Sequence, residues 1–230
     1  DTSQESIEAS HKCIGSIRST ESEIRPHVFT ATVPRQIKRH LEEIDMGGVE
    51  WSYPVTKEED GLDIKTGLYL RHYPTANNSN RIACMVSHMR LWYKCATHYK
   101  TPIIILEHDA VFTRKFVFEP LEDEFKGGIL GLNDPRGATR RSNIFHNVAS
   151  SKMGLQPVPT VDDMEVPQGL AGNSAYLITP TAAKKLLDKV REVGIWANDA
   201  LMCKQFFPWM QVVYPYYTTI QRGLKSTTTS

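Results

Sequence analysis

Glu107, His108 and Asp109 follow the apolar run Ile103-Ile104-Ile105-Leu106 with no residue between. Two carboxylates and an imidazole crowded at one point are costly to bury without a partner. A divalent cation held by hard oxygens, and bridging to a phosphate, removes that cost. Glu107 and Asp109 are therefore the expected metal ligands. His108 is a third candidate, because imidazole is softer than carboxylate and favours manganese over magnesium. It can equally turn away and hydrogen-bond a neighbour. Both carboxylates can also be solvated at a strand end.

Four other groups of residues could bind or react. Gly169, Gly172, Asn173 and Ser174 lie just before an apolar stretch. Glycines let a ligand approach the backbone closely, although the same residues suit a tight turn. Asn198-Asp199 stand where a helix begins, so Asp199 can be a cap or a first-turn residue favoured by the helix dipole. Ser87-His88 fall inside an apolar helix, where a histidine is usually a satisfied core residue. Arg136, Arg140 and Arg141 form a basic cluster. They are either a solvated loop or a surface that takes an anionic partner through bidentate contacts to phosphate.

The elements that must position these residues alternate between helix and strand. Ile103–Leu106, opened by Pro102 and rich in β-branched residues, predicts a strand buried on both faces. Such strands belong to mostly parallel α/β sheets, which bind ligands beyond the carboxyl ends of their strands. Further strands are expected at 27–31, 128–132, 174–179 and 212–217. Helices are expected at 3–18, 35–44 and 80–99, with Asn80 as a cap for the last of these. Pro180 begins another helix that Gly194 closes, and a last one follows Asn198-Asp199. Residues 50–80 read as mostly loop. Residues 135–168 lack a clear period and are too long for an idle loop.

The chain has 230 residues, 40% hydrophobic and 23% charged, with a formal net charge of +1. That is ordinary for a globular protein, long enough for one large α/β domain or two small ones. No global basic field demands nucleic acid. No apolar run of about 18 residues is present. Cys13, Cys84, Cys95 and Cys203 include no CxxC pair, so a reducing, cytoplasmic setting without disulfides is expected.

ACMVSHMRLWYK (83–94), PIIILEHDAVF (102–112), GLAGNSAYLITPTAAKKLL (169–187) and WANDALM (196–202) together resemble the family 25 glycosyltransferases. The resemblance covers roughly residues 80 to 220. It implies a GT-A-like domain over 1–230, with a mixed, mostly parallel sheet flanked by helices and a loose tail at 225–230. It also implies a metal-dependent, inverting transfer of a sugar from a nucleotide diphosphate donor, uridine diphosphate above all, to an acceptor hydroxyl. With the basic cluster at Arg136, Arg140 and Arg141, an anionic acceptor is expected: lipopolysaccharide, a phosphorylated glycan or the hydroxymethylated DNA of a bacteriophage. An inactive glycan- or nucleotide-binding module is the rival from another class.

The resemblance also distributes roles. The family's acidic triplet is usually Glu-Asp-Asp, so Asp109 would hold the metal, manganese or magnesium, with Glu107 or His108 in support. His108 departs from the pattern, and no histidine follows His146 to serve as a late ligand. Ser87, His88, Gly172 and Asn173 would face the donor. Asp199 would take the proton from the acceptor hydroxyl, with Asn198 beside it. GT-A domains begin with a strand and this sequence opens at the helix. If that strand lies outside it, Asp1, Thr2 and Ser3 would sit at the strand's end near the nucleotide base.

Overall fold

The computed structural model of the chain describes residues 3–73, 75, 77–137 and 141–224. The first half runs α1 (Gln4–Ser19), α2 (Ile37–Glu43), the strands β1 (Gly61–Asp63) and β2 (Leu68–Leu70), then α3 (Asn78–His98). β3 (Ile103–Leu106), β4 (Ala110–Phe112), α4 (Glu119–Glu122), β5 (Ile129–Gly131), α5 (Ser142–Ala149) and β6 (Gly154–Pro157) follow. β7 (Ala175–Ile178), α6 (Pro180–Val193), α7 (Asn198–Leu201), β8 (Gln211–Tyr214) and β9 (Thr218–Ile220) complete the order.

The long helices carry local signals that account for their ends. Ser3 caps α1 by accepting from the Ser6 amide at 3.2 Å. Asn77, not Asn80, caps α3, accepting from the Asn80 amide at 3.1 Å. Thr179 caps α6 just before Pro180, and Gly194 closes it in the left-handed region. A capping hydroxyl or amide satisfies an N–H that the first turn leaves open.

A five-stranded sheet, in the order β3-β7-β5-β8-β6, divides two cores. Tyr176, Ile178, Ile129 and Ile105 face the core under α3 and α6, which includes Trp92, Met89 and Leu186. Ala175, Leu177 and Leu130 face the second core, with Cys13 and Ile17 of α1. Two short pairs, β1–β2 and β4–β9, lie outside this sheet.

The sheet is mixed, but it is not mostly parallel. Only β5 and β8 run parallel, and the other three pairings are antiparallel. β3 meets a core on each face, but only Ile105 is buried and Ile103, Ile104 and Leu106 are half-buried, which an antiparallel edge strand achieves as well as a parallel one. β3 pairs only with β7, so among the described residues its other edge is open.

Other expectations are corrected too. Residues 27–31 form no strand: the segment is extended but has no neighbouring strand to bond, and Val28 is 82% exposed. The 50–80 stretch holds the β1–β2 hairpin, whose three-residue strands are too short to show a period. The 135–168 stretch holds α5 and β6. The final helix ends at Leu201, because the chain turns there to meet residues 168–169, with Lys204 N–H on the Gln168 carbonyl at 2.7 Å. The four cysteines are free, as expected. No described helix is long and apolar enough to cross a membrane.

Candidate active site

The carboxyl end of β3 turns directly into β4, so Glu107, His108 and Asp109 occupy a tight corner. Three bonds clamp that corner. Glu107 N–H reaches the Ser174 carbonyl at 2.8 Å, and Ala110 N–H reaches the Glu107 carbonyl at 3.2 Å. Gln221 N–H reaches the Asp109 carbonyl at 2.8 Å. The Gln221 side chain adds bonds to the carbonyls of His108 and Ala9. Nothing in the sequence around Gln221 signals this role.

The two acids of the corner differ. Asp109 Oδ1 is buried without a hydrogen-bond partner. Burial first, and then the Glu107 charge, push the Asp109 carboxyl above its ordinary range, against His108 and Ser174. An orphaned, charge-crowded oxygen of this kind fits a hard divalent cation. Burial also pushes Glu107 up, but the hydrogen bond from His88 and the imidazoles of His88 and His108 outweigh it and hold the carboxyl below its usual range.

His88 is anchored by a chain of bonds. Trp92 Nε1 donates to the Tyr176 hydroxyl at 2.8 Å, and an indole N–H can only donate. The same Tyr176 hydroxyl bonds His88 Nδ1, also at 2.8 Å, and His88 Nε2 lies 3.2 Å from Glu107 Oε1. Ligand atoms of Cys84, His88 and Glu107 lie within 4.8 Å of one another, which makes a softer trio that could also hold a cation. Burial, and after it the charges of Glu107 and Asp199, push the Cys84 thiol up, which disfavours the thiolate that would ligate a cation.

The corner opens into a cleft of about 2660 Å³ that also contains Asp199, Asn198, Arg81, Ser87, His88, Gly172 and Asn173. Single small-molecule sites run to roughly 300–1,000 Å³, so two substrates have room. Asp199 lies in the first turn of α7, after Ala197 in the capping position. Burial dominates its carboxyl and raises it, with Arg81 and the amides of Asp199 and Ala200 opposing and Glu107 adding to the rise. Tyr53 and Tyr73 stack beside it, with ring centres 5.5 Å apart.

Gly172 takes a positive φ of 91°, and Asn173 Oδ1 is buried without a partner. Gly169 touches α7: a Cβ there would lie 1.9 Å from the Met202 carbonyl oxygen. Gly169→Ala is expected to cost roughly 1–3 kcal/mol of stability through overpacking, read by denaturant unfolding. An unchanged midpoint would show that the 168–173 loop yields freely.

The remaining expected residues are not brought together in the same way. The Ser87 hydroxyl is engaged in structure, accepting from Thr32 N–H at 2.8 Å and donating to the Ala83 carbonyl at 2.8 Å. Ser3 lines the cleft but serves as the α1 cap. Arg141 lines the cleft and pairs with Asp162 at 2.7 Å. Arg136 faces a separate small pocket and pairs with Asp134 at 2.6 Å. Asp1, Thr2 and Arg140 lie outside the described residues.

Glu107, Asp109 and Asp199 thus line one cleft, and the Glu107 charge reaches Asp199. The family model for glycosyltransferase family 25 (LPS biosynthesis protein) matches residues 20–202. The chain belongs to that family and is a glycosyltransferase. A search of curated proteins returned no match.

Proposed function

We propose that the chain is a GT-A-like domain that moves a sugar from uridine diphosphate to an acceptor hydroxyl with inversion. The observation that carries this reading is the shared cleft: Glu107 and Asp109 at the end of β3, and Asp199 on the start of α7. Asp109 and Glu107 would hold manganese or magnesium, with His108 adjacent. When bound, the ion supplies positive charge against the leaving diphosphate. Gly172 and Asn173 border the donor. The acceptor oxygen attacks the anomeric carbon as the bond to the diphosphate oxygen breaks and that oxygen keeps the electron pair. Asp199 takes the acceptor proton. The clamped corner and the His88–Glu107 bond keep the acids in place, so little reorganisation accompanies the reaction.

The acceptor is proposed to be anionic. Arg136 and Arg141 are each already paired with an aspartate, which weakens the case for their loop as a polyanion surface. The test is donor hydrolysis across a panel of nucleotide sugars, with and without manganese. Hydrolysis of a uridine diphosphate sugar that stops in chelator is the expected result. Binding without turnover on any acceptor would make the chain an inactive module. Transfer to hydroxymethylated DNA alone would make it a DNA glycosyltransferase.

A further inference from the structure

Arg81 is 8% exposed, on the first turns of α3, and it lines the cleft. Its guanidinium carries five N–H donors. One reaches the Tyr73 carbonyl at 3.3 Å, and the group lies over the Tyr73 ring at 4.8 Å. Among the described residues Arg81 makes no ion pair, whereas Arg39, Arg136, Arg141 and Arg191 each do. The donors that Tyr73 does not take are not sealed from solvent: they open to the cleft, where an anion can reach them.

Position within the cleft decides which substrate brings the charge. Arg81 acts on Asp199 more than any other charged side chain does. A chain of rings ties Arg81 to the approach of α7: Tyr73 lies under the guanidinium and packs on Tyr53, and Tyr53 meets Trp196, just before Asp199, with ring centres 5.5 Å apart. Arg81 therefore belongs with the Asp199 half of the cleft. Tyr73, beneath the guanidinium, stacks on Tyr53 with the rings 9° apart. That pair holds the guanidinium plane and offers a flat wall beside it.

We propose that Arg81 reads a negative charge on the acceptor, a carboxylate or a phosphate near the hydroxyl that receives the sugar. The inference rests on the function proposed above, in that Asp199 marks the acceptor half. It also gives an anionic acceptor a contact that the paired arginines at 136 and 141 do not supply.

The experiment compares transfer to methyl β-glucuronide, glucose 6-phosphate and neutral methyl β-glucoside, in wild type, Arg81→Gln and Arg81→Lys. The readout is the ratio of kcat/KM for an anionic over the neutral acceptor. Wild type is expected to favour at least one anion by on the order of ten- to a hundredfold, the range of a hydrogen bond to a charged group. Arg81→Gln is expected to bring that ratio close to one. Arg81→Lys should keep part of a phosphate preference but lose a bidentate carboxylate preference, which tells the two sources apart. Saturation-transfer NMR of methyl β-glucuronide, competed with inorganic phosphate, measures the same site without turnover. Donor hydrolysis run alongside reports separately on the glycosyltransfer reading. A wild-type ratio at or below one, or a ratio and anion binding unchanged in Arg81→Gln, would overturn the proposal.

Discussion

Asp109→Asn is expected to lower sugar transfer by on the order of a hundredfold or more, the scale of losing a principal electrostatic contact to a leaving group. Nucleoside diphosphate binding should weaken in step, and manganese should no longer enhance it. Stability should not fall. In the wild type an orphaned carboxyl oxygen sits buried beside Glu107, with its carboxyl held above the ordinary range by burial and that neighbour. A neutral amide of the same shape relieves the charge beside Glu107, while its polar atom at that place stays unpaired as before. Calorimetric titration of uridine diphosphate with and without manganese, next to a thermal melt, measures these effects together. Wild-type activity that persists in chelator would remove the metal from the corner, and a destabilised variant would mean that Asp109 is structural.

Asp199→Asn should leave donor binding and folding intact and lower the transfer rate on the order of a hundredfold or more. As a capping residue, asparagine would serve as well as aspartate, and Ala197 holds the capping position in any case. The pH profile sharpens the test. A base must be ionised to accept a proton. Burial raises the Asp199 carboxyl above the ordinary aspartate range despite Arg81 and two amides. Transfer should therefore decline as pH falls through that raised value, at a pH above the usual carboxylate range, and the variant should lose this acid limb. A variant with normal turnover and an unaltered profile would place the base on another group.

Much of this site is legible in the sequence because its acids interrupt hydrophobic periodicity. Glu107 and Asp109 end an apolar run, and Asp199 opens a helix. The long helices α1, α3 and α6 announce themselves by period and by caps. The direction of β3 is hidden, since a run of isoleucines records that two faces are covered and not which neighbour covers the edge. Strands of three residues such as β1 and β2 fall below any periodic signal. Arg81 escapes because a lone arginine near a helix start reads as solvated, and its burial follows from how Tyr53 and Tyr73 pack. Gln221 escapes for a similar reason: a glutamine that clamps a distant carbonyl leaves no local pattern. The pairing of Arg136 with Asp134, two residues away, was within reach of the sequence. That of Arg141 with Asp162 depends on the fold.

The open side of β3 has a practical consequence for the isolated chain. Protein sheets usually guard such a border with lysine, proline or a bulge, and Ile103–Leu106 offers none of these. Among the described residues no strand pairs with that edge, so its outward main-chain donors and acceptors are a template for any extended segment that meets it. Solubility at high concentration will accordingly be governed by that border more than by net charge, and a peptide that mimics one apolar strand should act on the chain as a solubiliser.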